Sequence, residues 1–405
     1  MKKFNKFLSV AVASAMVMAM AGCGNTDNGS AATGTNAATE SAAASDSAAS
    51  GSVFKIGGIG PTTGGAAVYG LAVQHGAEIA VEEINAAGGI NGYQVEFKFQ
   101  DDEADAEKSV NAYNALKDWG AQIIDGSTTS GACIAVTDKT KEDNMFQITP
   151  SGSAVECVQY DNNFRVCFSD PNQGLASAQY IGENGLAEKI AIIYDSSDVY
   201  SSGIYEKFAK EAENQPFEIV AAEAFTADNK TDFSVQLQKA KDAGADMVFL
   251  PIYYQESALI LTQAAAMGYA PKWFSCDGMD GILGGVDNFD VSLTEGVMLL
   301  TPFAADATDD LTQSFVTKYK EKYGDTPNQF AADSYDAIYV IKAAIEKSGV
   351  TPDMSVSDIC DGMKAAMTEI TVDGLTGSGM TWTADGEANK APKAVVIENG
   401  AYKAM

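Results

Sequence analysis

Two clusters of hydroxyl side chains stand where a small polar ligand could be bound. Residues 127–131 read Ser-Thr-Thr-Ser-Gly, follow the apolar pair Ile123-Ile124 and precede a helical pattern, whereas residues 149–153 read Thr-Pro-Ser-Gly-Ser and follow an apolar run. A helix start that offers Ser or Thr hydroxyls and free backbone N–H groups suits a carboxylate. The alternative is simple N-capping, which such residues would satisfy without any ligand.

Glycines at positions 57, 58, 60, 64 and 65 suggest a nucleotide-binding loop at first sight. A Gly-x-Gly-x-x-Gly fingerprint that begins at Gly58 requires glycine where the chain has Thr63, and the Gly-Lys-Ser/Thr end of a Walker A loop is missing. Pro61 also removes one backbone donor. We therefore interpret these residues as a tight turn that lets a ligand approach the backbone.

Residues for catalysis or metal binding are sparse. The sequence contains one histidine, His75, no Gly-x-Ser-x-Gly segment and no Cys-x-x-Cys pair, so we expect no catalytic residues, no metal and no cofactor. Asp101-Asp102 ends a predicted strand and could suggest a metal, but a solvated loop is the interpretation that we favour.

Alternating short apolar runs and longer helical patterns must position the hydroxyl clusters. The predicted strands lie at residues 54–59, 95–99, 122–124, 146–149, 190–194, 217–220, 247–250, 273–276 and 297–300. Repeated strand–helix–strand order predicts parallel sheets with helices on both faces, and 405 residues are enough for two such units. In open α/β sheets ligands lie beyond the carboxyl ends of the strands, where both clusters fall. Two further strands, at 380–383 and 394–397, are predicted around a turn at Asp385-Gly386.

The N-terminus predicts export and anchoring. Three lysines precede an apolar stretch from 7 to 21, which is too short for a comfortable transmembrane helix and ends at Gly22-Cys23. This ending resembles the lipobox of bacterial lipoproteins, which implies cleavage before Cys23 and a lipid on its sulfur. The expected signal peptide is 1–22, and 23–52, rich in Gly, Ala, Ser and Thr, is expected to be a flexible tether.

The net charge and the cysteine content limit the possible partners and disulfides of the protein. The formal net charge of −29 argues against nucleic acid as a partner. Besides Cys23 the chain has five cysteines, an odd number. Cys157 and Cys167 are close enough in sequence for a disulfide, and the equal alternative is that all five are small buried apolar residues.

Residues 53 to about 400 resemble the periplasmic binding proteins of the leucine/isoleucine/valine type, which have the type I fold. The matching pieces are Lys55-Ile56-Gly57, Tyr69-Gly70, residues 84–92 (Ile-Asn-Ala-Ala-Gly-Gly-Ile-Asn-Gly), Asp101-Asp102, Ile148-Thr149-Pro150-Ser151, Tyr335-Asp336-Ala337 and Met380-Thr381-Trp382. The resemblance implies two Rossmann-like α/β lobes with parallel sheets, joined by three crossovers. It places the N-terminal lobe at 53–168 plus 302–375 and the C-terminal lobe at 169–301 plus 376–405.

The resemblance also implies ligand-binding roles. Thr129 and Ser130 would hold an α-carboxylate. Ser151 through its carbonyl and Ser153 through its hydroxyl would hold the ligand from the same lobe. Asp277 stands where the family has an acid that faces the α-ammonium.

Aromatic residues complete the implied site, and some positions depart from the family. Tyr69, Tyr200 and Tyr253 match positions that line the cleft, although Tyr254 would replace Tyr253 if the register shifted. Asp277 is one methylene shorter than the glutamate of many members, and residues 151 and 152 replace small alanines. Strict leucine/isoleucine/valine specificity is therefore not implied.

The expected function is that of an extracytoplasmic, lipid-anchored, monomeric binding protein that delivers an amino acid to the permease of an ABC importer. Two alternatives belong to other classes. One is a ligand-binding module for a sensory receptor, and the other is an enzyme on a doubly wound fold, which the missing catalytic set disfavours.

Overall fold

Two β-sheets flanked by helices organise residues 51–405, the part of the chain that the computed structural model describes. The strands are β1 Phe54–Gly60, β2 Val95–Asp101, β3 Ile123–Asp125, β4 Phe146–Thr149, β5 Asn163–Arg165, β6 Lys189–Asp195, β7 Glu218–Phe225, β8 Met247–Leu250, β9 Lys272–Ser275, β10 Met298–Thr301, β11 Lys393–Glu398 and β12 Ala401–Ala404. The helices are α1 Ala67–Ala86, α2 Ala106–Trp119, α3 Ser130–Asp143, α4 Asp170–Glu183, α5 Val199–Ala212, α6 Ser234–Asp242, α7 Tyr254–Ala266, α8 Asp310–Tyr323, α9 Gln329–Ser348 and α10 Val356–Met367.

The first sheet has the strand order β2-β1-β3-β4-β5, and all of its pairs are parallel. Its central strands β3 and β4 are buried throughout, as expected for a parallel sheet covered on both faces. Helix α9 packs along α1 and contacts β3 and β4, and α10 contacts α9 and β4. We call this sheet with α1–α3 and α8–α10 the first lobe.

The second sheet has the order β12-β11-β10-β9-β8-β6-β7. The pairs from β7 to β10 are parallel, whereas β10 pairs with β11 and β11 with β12 in antiparallel fashion. This sheet with α4–α7 is the second lobe. The chain passes between the lobes after β5, after β10 and before β11, so the predicted architecture of two α/β lobes with three crossovers is confirmed.

The segment before β11 contacts the first lobe. The indole N–H of Trp382 donates to the carbonyl of Arg165 at 2.7 Å, and Lys390 Nζ lies 2.9 Å from the carboxylate of Asp333. Both partners belong to the first lobe. These contacts favour a third crossing near residue 390, later than the expected boundary at 376.

One local prediction of secondary structure was wrong. Residues 380–383 do not form a strand but take part in isolated bridges, Val372 with Met380 and Trp382 with Ala388. The predicted turn at Asp385-Gly386 is present, since Gly386 N donates to the carbonyl of Thr383 at 3.1 Å. The other predicted strand of that pair, β11, is real but pairs with β10 and β12. The short strands β5 and β12 were missed, because their sequences, Asn-Phe-Arg and Ala-Tyr-Lys-Ala, contain no apolar run.

The expected glycine turn is present only in part. Gly64 and Gly65 lie in the turn after β1, where Gly64 has a φ of +79°, whereas Gly57, Gly58 and Gly60 lie inside β1. A Cβ at Gly57 would lie 2.9 Å from the side chain of Leu116, and one at Gly58 would collide with the ring of Phe99. These glycines are therefore required by the packing of α2 and β2 against the strand.

Asp101 and Asp102 do not form the solvated loop that the sequence suggested. Asp101 is exposed and accepts a hydrogen bond from Thr62 N at 2.8 Å, but Asp102 is fully buried and accepts one from Ala104 N at 2.9 Å. Asp102 therefore fixes the turn before α2. Among residues 51–405, no group of three or more His, Cys, Asp or Glu side chains could hold a metal ion.

All five cysteines in the described part of the chain are buried and free. The Cys157–Cys167 disulfide is therefore not formed. None of the helices within residues 51–405 is both long enough and apolar enough to cross a membrane. The predicted signal peptide, Cys23 and most of the tether lie outside the described residues.

Candidate ligand-binding site

The two hydroxyl clusters meet at the carboxyl edge of the first sheet. β3 and β4 are parallel neighbours, with Ile124 opposite Gln147, so the loops that follow them lie side by side. Ser151 Oγ donates to the carbonyl of Thr128 at 2.7 Å, and Thr149 Oγ1 donates to the carbonyl of Ser127 at 2.7 Å. These bonds join the loops into one surface.

Hydroxyl groups at the start of α3 remain able to donate. Ser130 Oγ accepts from the backbone N–H groups of Ser153 and Ala154, each at 3.1 Å. Since a hydroxyl has two acceptor lone pairs and one proton, the proton of Ser130 is left for Ser153 Oγ, which lies 3.5 Å away, or for a ligand. Thr129 is the N-cap residue of α3, yet its side chain makes no capping bond and its buried hydroxyl has no partner among residues 51–405. The N-capping alternative therefore fails at Thr129, and the helix start presents donors and the positive end of its dipole.

An acidic group faces these donors from the second lobe. Asp277 follows β9 in a short 3-10 helix and is 2% exposed. Its carboxylate accepts from Tyr200 Oη at 2.8 Å and from Gln173 Nε2 at 3.0 Å. Burial raises the pKa of Asp277 to about 7, although both hydrogen bonds oppose the shift.

Aromatic side chains from both lobes close the space between these groups. Tyr69 of α1 donates its hydroxyl to the carbonyl of Gly278, and the same oxygen accepts from Tyr254 N at 3.2 Å. Its ring contacts Tyr253 edge to face at 5.4 Å and lies 4.3 Å from the ring of Phe330. The Tyr69 hydroxyl thus forms a direct bond between the lobes.

All eight predicted ligand-binding residues line one cavity, which has a free volume of only about 10 Å³ with the lobes in this arrangement. These residues are Tyr69, Thr129, Ser130, Ser151, Ser153, Tyr200, Tyr253 and Asp277. Of the two adjacent tyrosines considered for the aromatic position, Tyr253 lines the cavity. Tyr254 does not, and instead contacts Tyr69 from α7. Donors stand at one end of the cavity and an acid at the other, which is the arrangement that a zwitterion needs.

Comparison with known proteins identifies the family. Residues 53–401, most of the chain, match the family described as periplasmic binding protein. The chain is a periplasmic binding protein.

Sequence relatives of this periplasmic binding protein include the Leu/Ile/Val-binding protein homolog 3 of Brucella melitensis. The two are 30% identical over 300 residues, which is 74% of this chain and 80% of the relative. The leucine-, isoleucine-, valine-, threonine- and alanine-binding protein of Pseudomonas aeruginosa is also 30% identical, over 73% of this chain and 78% of its own length.

A solved structure with the same fold is that of the branched-chain amino acid transporter substrate binding protein LivJ from Streptococcus pneumoniae in complex with isoleucine. It superposes with a TM-score of 0.78 at 28% identity and covers 87% of this chain and 98% of that one. The family consists of substrate-binding components of ABC transporters and not of enzymes, which removes the enzyme alternative.

The binding protein has further residues at the cavity that the sequence analysis missed. Thr128, Gly278 and Phe330 line it, and Gln173 holds Asp277 from α4. Phe330 had no recognisable signal, because it reads as an ordinary core residue near the start of α9.

Asp170, at the start of α4, was also missed. It is 1% exposed, its N–H donates to the carbonyl of Ser153 at 2.9 Å, and neither carboxylate oxygen has a partner among residues 51–405. Burial raises its pKa well above the usual value. The signal in the sequence was Asp170-Pro171, an acid followed by proline in the first turn of a helix. A buried carboxylate without a partner is costly, so a ligand cation near Ser153 would be stabilised by Asp170 as well as by Asp277.

A larger crevice of about 470 Å³ lies beside this cavity and is lined by both lobes. Asp280, at its wall, accepts from Gln329 N at 2.9 Å. The crevice contains none of the eight predicted residues and lacks the paired hydroxyl loops. Its volume alone therefore does not make it the better candidate for binding an amino acid.

Proposed function

We propose that this periplasmic binding protein captures a single α-amino acid with a small aliphatic side chain between its lobes and delivers it to the permease of an ABC importer. The observation that carries the proposal is the pairing of hydroxyl donors at the α3 N-terminus with a buried acid across one cavity that both lobes line. The sequence relatives are named for binding leucine, isoleucine and valine, and LivJ was solved with isoleucine.

The α-carboxylate would bind at the start of α3. Ser130 has committed both lone pairs to backbone N–H groups, and Thr129 has an unused hydroxyl. Hydrogen bonds to a charged partner contribute roughly 1.5–3 kcal/mol each. Two such donors, together with the helix dipole, can replace the water that a carboxylate loses on burial.

The α-ammonium would bind between Asp277, the hydroxyl of Ser153 and the carbonyl of Ser151. The carboxylate of Asp277 is oriented by Tyr200 and Gln173 but retains unused lone pairs. An ammonium has three donors and no acceptor, and three acceptors around it would satisfy all of them. A ligand that lacks either charge would leave buried polar groups unpaired and would be rejected.

The side chain of the ligand would lie against Tyr69, Tyr253 and Phe330. The free volume of about 10 Å³ between the lobes holds no more than about one water molecule, so the lobes would separate to admit the ligand. Aromatic walls favour an aliphatic side chain over a charged one. The Pseudomonas aeruginosa relative is named for binding threonine and alanine as well, which supports tolerance of these two amino acids beside the branched-chain ligands.

Anchoring and assembly complete the proposal. Cleavage after residue 22, a lipid on Cys23 and a tether over 23–52 would keep the body at the extracytoplasmic face of the membrane as a monomer. The lobes would be 53–168 plus 302–375 and 169–301 plus 376–405, with the contacts of Trp382 and Lys390 favouring a later third boundary.

Identification of the retained ligand tests the proposal most directly. The protein is purified without added amino acids, and the small molecules released by denaturation are identified by mass spectrometry. We expect an α-amino acid with an uncharged side chain, and calorimetric titration should then show 1:1 binding of that compound. Retention of a compound without an α-ammonium group, and no binding of any aliphatic amino acid, would overturn the proposal.

A further inference from the structure

Two of the buried cysteines contact each other beneath the hydroxyl loops. Cys133 lies on α3, three residues after Ser130, and Cys157 lies in the short 3-10 helix Val155–Val158. They are 0% and 1% exposed and pack together with Ala154 in a small apolar cluster. The candidate pair is therefore Cys133–Cys157, and not the Cys157–Cys167 pair that sequence distance suggested.

The other three cysteines have different surroundings. Cys276 belongs to the apolar core of the second lobe and has its sulfur 3.5 Å from the hydroxyl of Ser177. Cys360 lies on α10 in another apolar cluster. Burial raises the pKa of Cys167 well above its usual value, and the positive charge of Arg165 opposes this shift.

The contact joins the two segments that carry the carboxylate-binding and ammonium-binding hydroxyls. Cys157 Sγ lies 3.7 Å from the carbonyl of Ser130, and Gln147 Nε2 lies 3.5 Å from Cys133 Sγ.

We propose that Cys133 and Cys157 are joined by a disulfide as the chain folds outside the cytoplasm, and that this bond holds the α3 N-terminus to the 151–157 loop. Extracytoplasmic compartments allow such bonds to form and persist. The inference does not depend on which solute is bound.

Thiol–disulfide exchange with a low-molecular-weight disulfide supplies the two oxidising equivalents. The thiolate of Cys133 attacks one sulfur of the reagent, forms a mixed disulfide and releases one thiolate, which takes up a proton. The thiolate of Cys157 then attacks Cys133 Sγ and expels the second thiolate, which is also protonated. The two cysteines lose two electrons and two protons, and the reagent disulfide becomes two thiols.

The bond would close a loop that contains β4 and the hydroxyl segment 149–153, whereas the hydroxyl segment 127–131 lies just before this loop. A loop of about 25 residues is in the range where a cross-link measurably reduces the entropy of the unfolded chain. For a protein of this size, we expect a melting temperature higher by roughly 5 °C than that of the reduced form.

Peptide mapping after oxidative refolding tests the inference. The full chain is unfolded, refolded in a mixture of oxidised and reduced glutathione, alkylated with iodoacetamide and digested. We expect a cross-linked peptide that contains Cys133 and Cys157, while Cys276 and Cys360 carry the alkyl label. Cys167→Ala is the matched control, because it must leave this cross-link intact.

Three outcomes would overturn the inference. They are alkylation of both Cys133 and Cys157 after oxidative refolding, a Cys157–Cys167 cross-link that disappears in Cys167→Ala, and equal melting temperatures for the oxidised and reduced forms. None of these measurements uses a ligand, so the disulfide and the proposed amino acid binding can fail independently.

Discussion

Replacing Asp277 by alanine removes the carboxylate that would pair with the ligand ammonium. Asp277 is 2% exposed, so the ligand cation would stay buried without its partner. Truncating one side of a buried, hydrogen-bonded charge pair costs roughly 2–5 kcal/mol, which corresponds to a loss of affinity on the order of 30- to 3,000-fold. Because Asp170 also lies near Ser153, we expect the loss to fall in the lower part of this range.

The Asp277→Asn variant separates charge from shape. Its amide can still meet Tyr200 and Gln173, so the loss of affinity should be nearly as large while the fold is kept. The pKa of Asp277 is raised in the folded protein to about 7, from about 4 in an unfolded chain. Between these values the folded state binds more protons than the unfolded one, so stability falls as pH rises through this window. Without ligand, the Asn variant should therefore melt at or above the wild-type temperature at pH about 8.

Calorimetric titration with isoleucine measures these affinities, and thermal melting checks the folded state. Asp280→Asn is the matched control, since Asp280 is a buried acid three positions along that lines the neighbouring crevice. It should bind isoleucine within about threefold of the wild type. The reasoning is refuted if Asp277→Ala also binds within about threefold, or if Asp280→Asn loses as much affinity as Asp277→Asn.

Four other predictions test separate parts of the proposal. Affinity for isoleucine should fall as pH drops below about 7, by up to about tenfold per unit, because protonated Asp277 must lose its proton to pair with the ammonium; titration from pH 8 to 5 would show this, and a flat profile would contradict it. Thr129→Val should bind roughly ten- to a hundredfold more weakly with an unchanged melting temperature, because its hydroxyl has no protein partner; unchanged affinity would place the carboxylate elsewhere. Cys23→Ala should abolish fatty-acid labelling and release the protein from membranes, and persistent labelling would refute the lipid anchor. Small-angle scattering should give a smaller radius of gyration for the body with isoleucine than without it, and equal values would argue against lobe closure.

Much of the fold follows from local sequence patterns, since buried parallel strands read as short apolar runs. Residues 247–250 and 146–149 were predicted with the bounds of β8 and β4. Strands β5 and β12 were missed because polar residues interrupt them, so neither reads as an apolar run. The glycines of β1 looked like a turn because the side chains that exclude a Cβ, Leu116 and Phe99, are remote in sequence.

The candidate site could be anticipated only in part. Thr129, Ser130 and Ser153 gave a signal, since hydroxyl clusters after apolar runs mark the carboxyl ends of strands. The positions of Tyr69 and Asp277 came from family resemblance, because nothing local distinguishes one tyrosine of 16 or an aspartate beside a glycine. Phe330 lines this cavity because α9 packs there, and Asp170 contacts Ser153 because α4 packs there. The residues next to them in the sequence do not indicate such tertiary contacts.

The hydrogen bond from Tyr69 to the carbonyl of Gly278 has a kinetic consequence. It joins the two lobes through protein groups alone, so it resists opening whether or not a solute is held. The rate at which solute escapes is then set partly by breakage of this bond and not only by the solute's own contacts. The residence time could be changed by Tyr69→Phe without touching the charged groups that choose the solute. Any permease that unloads this protein must supply enough free energy to separate Tyr69 from Gly278. The free energy needed for unloading therefore includes breakage of this contact between the lobes.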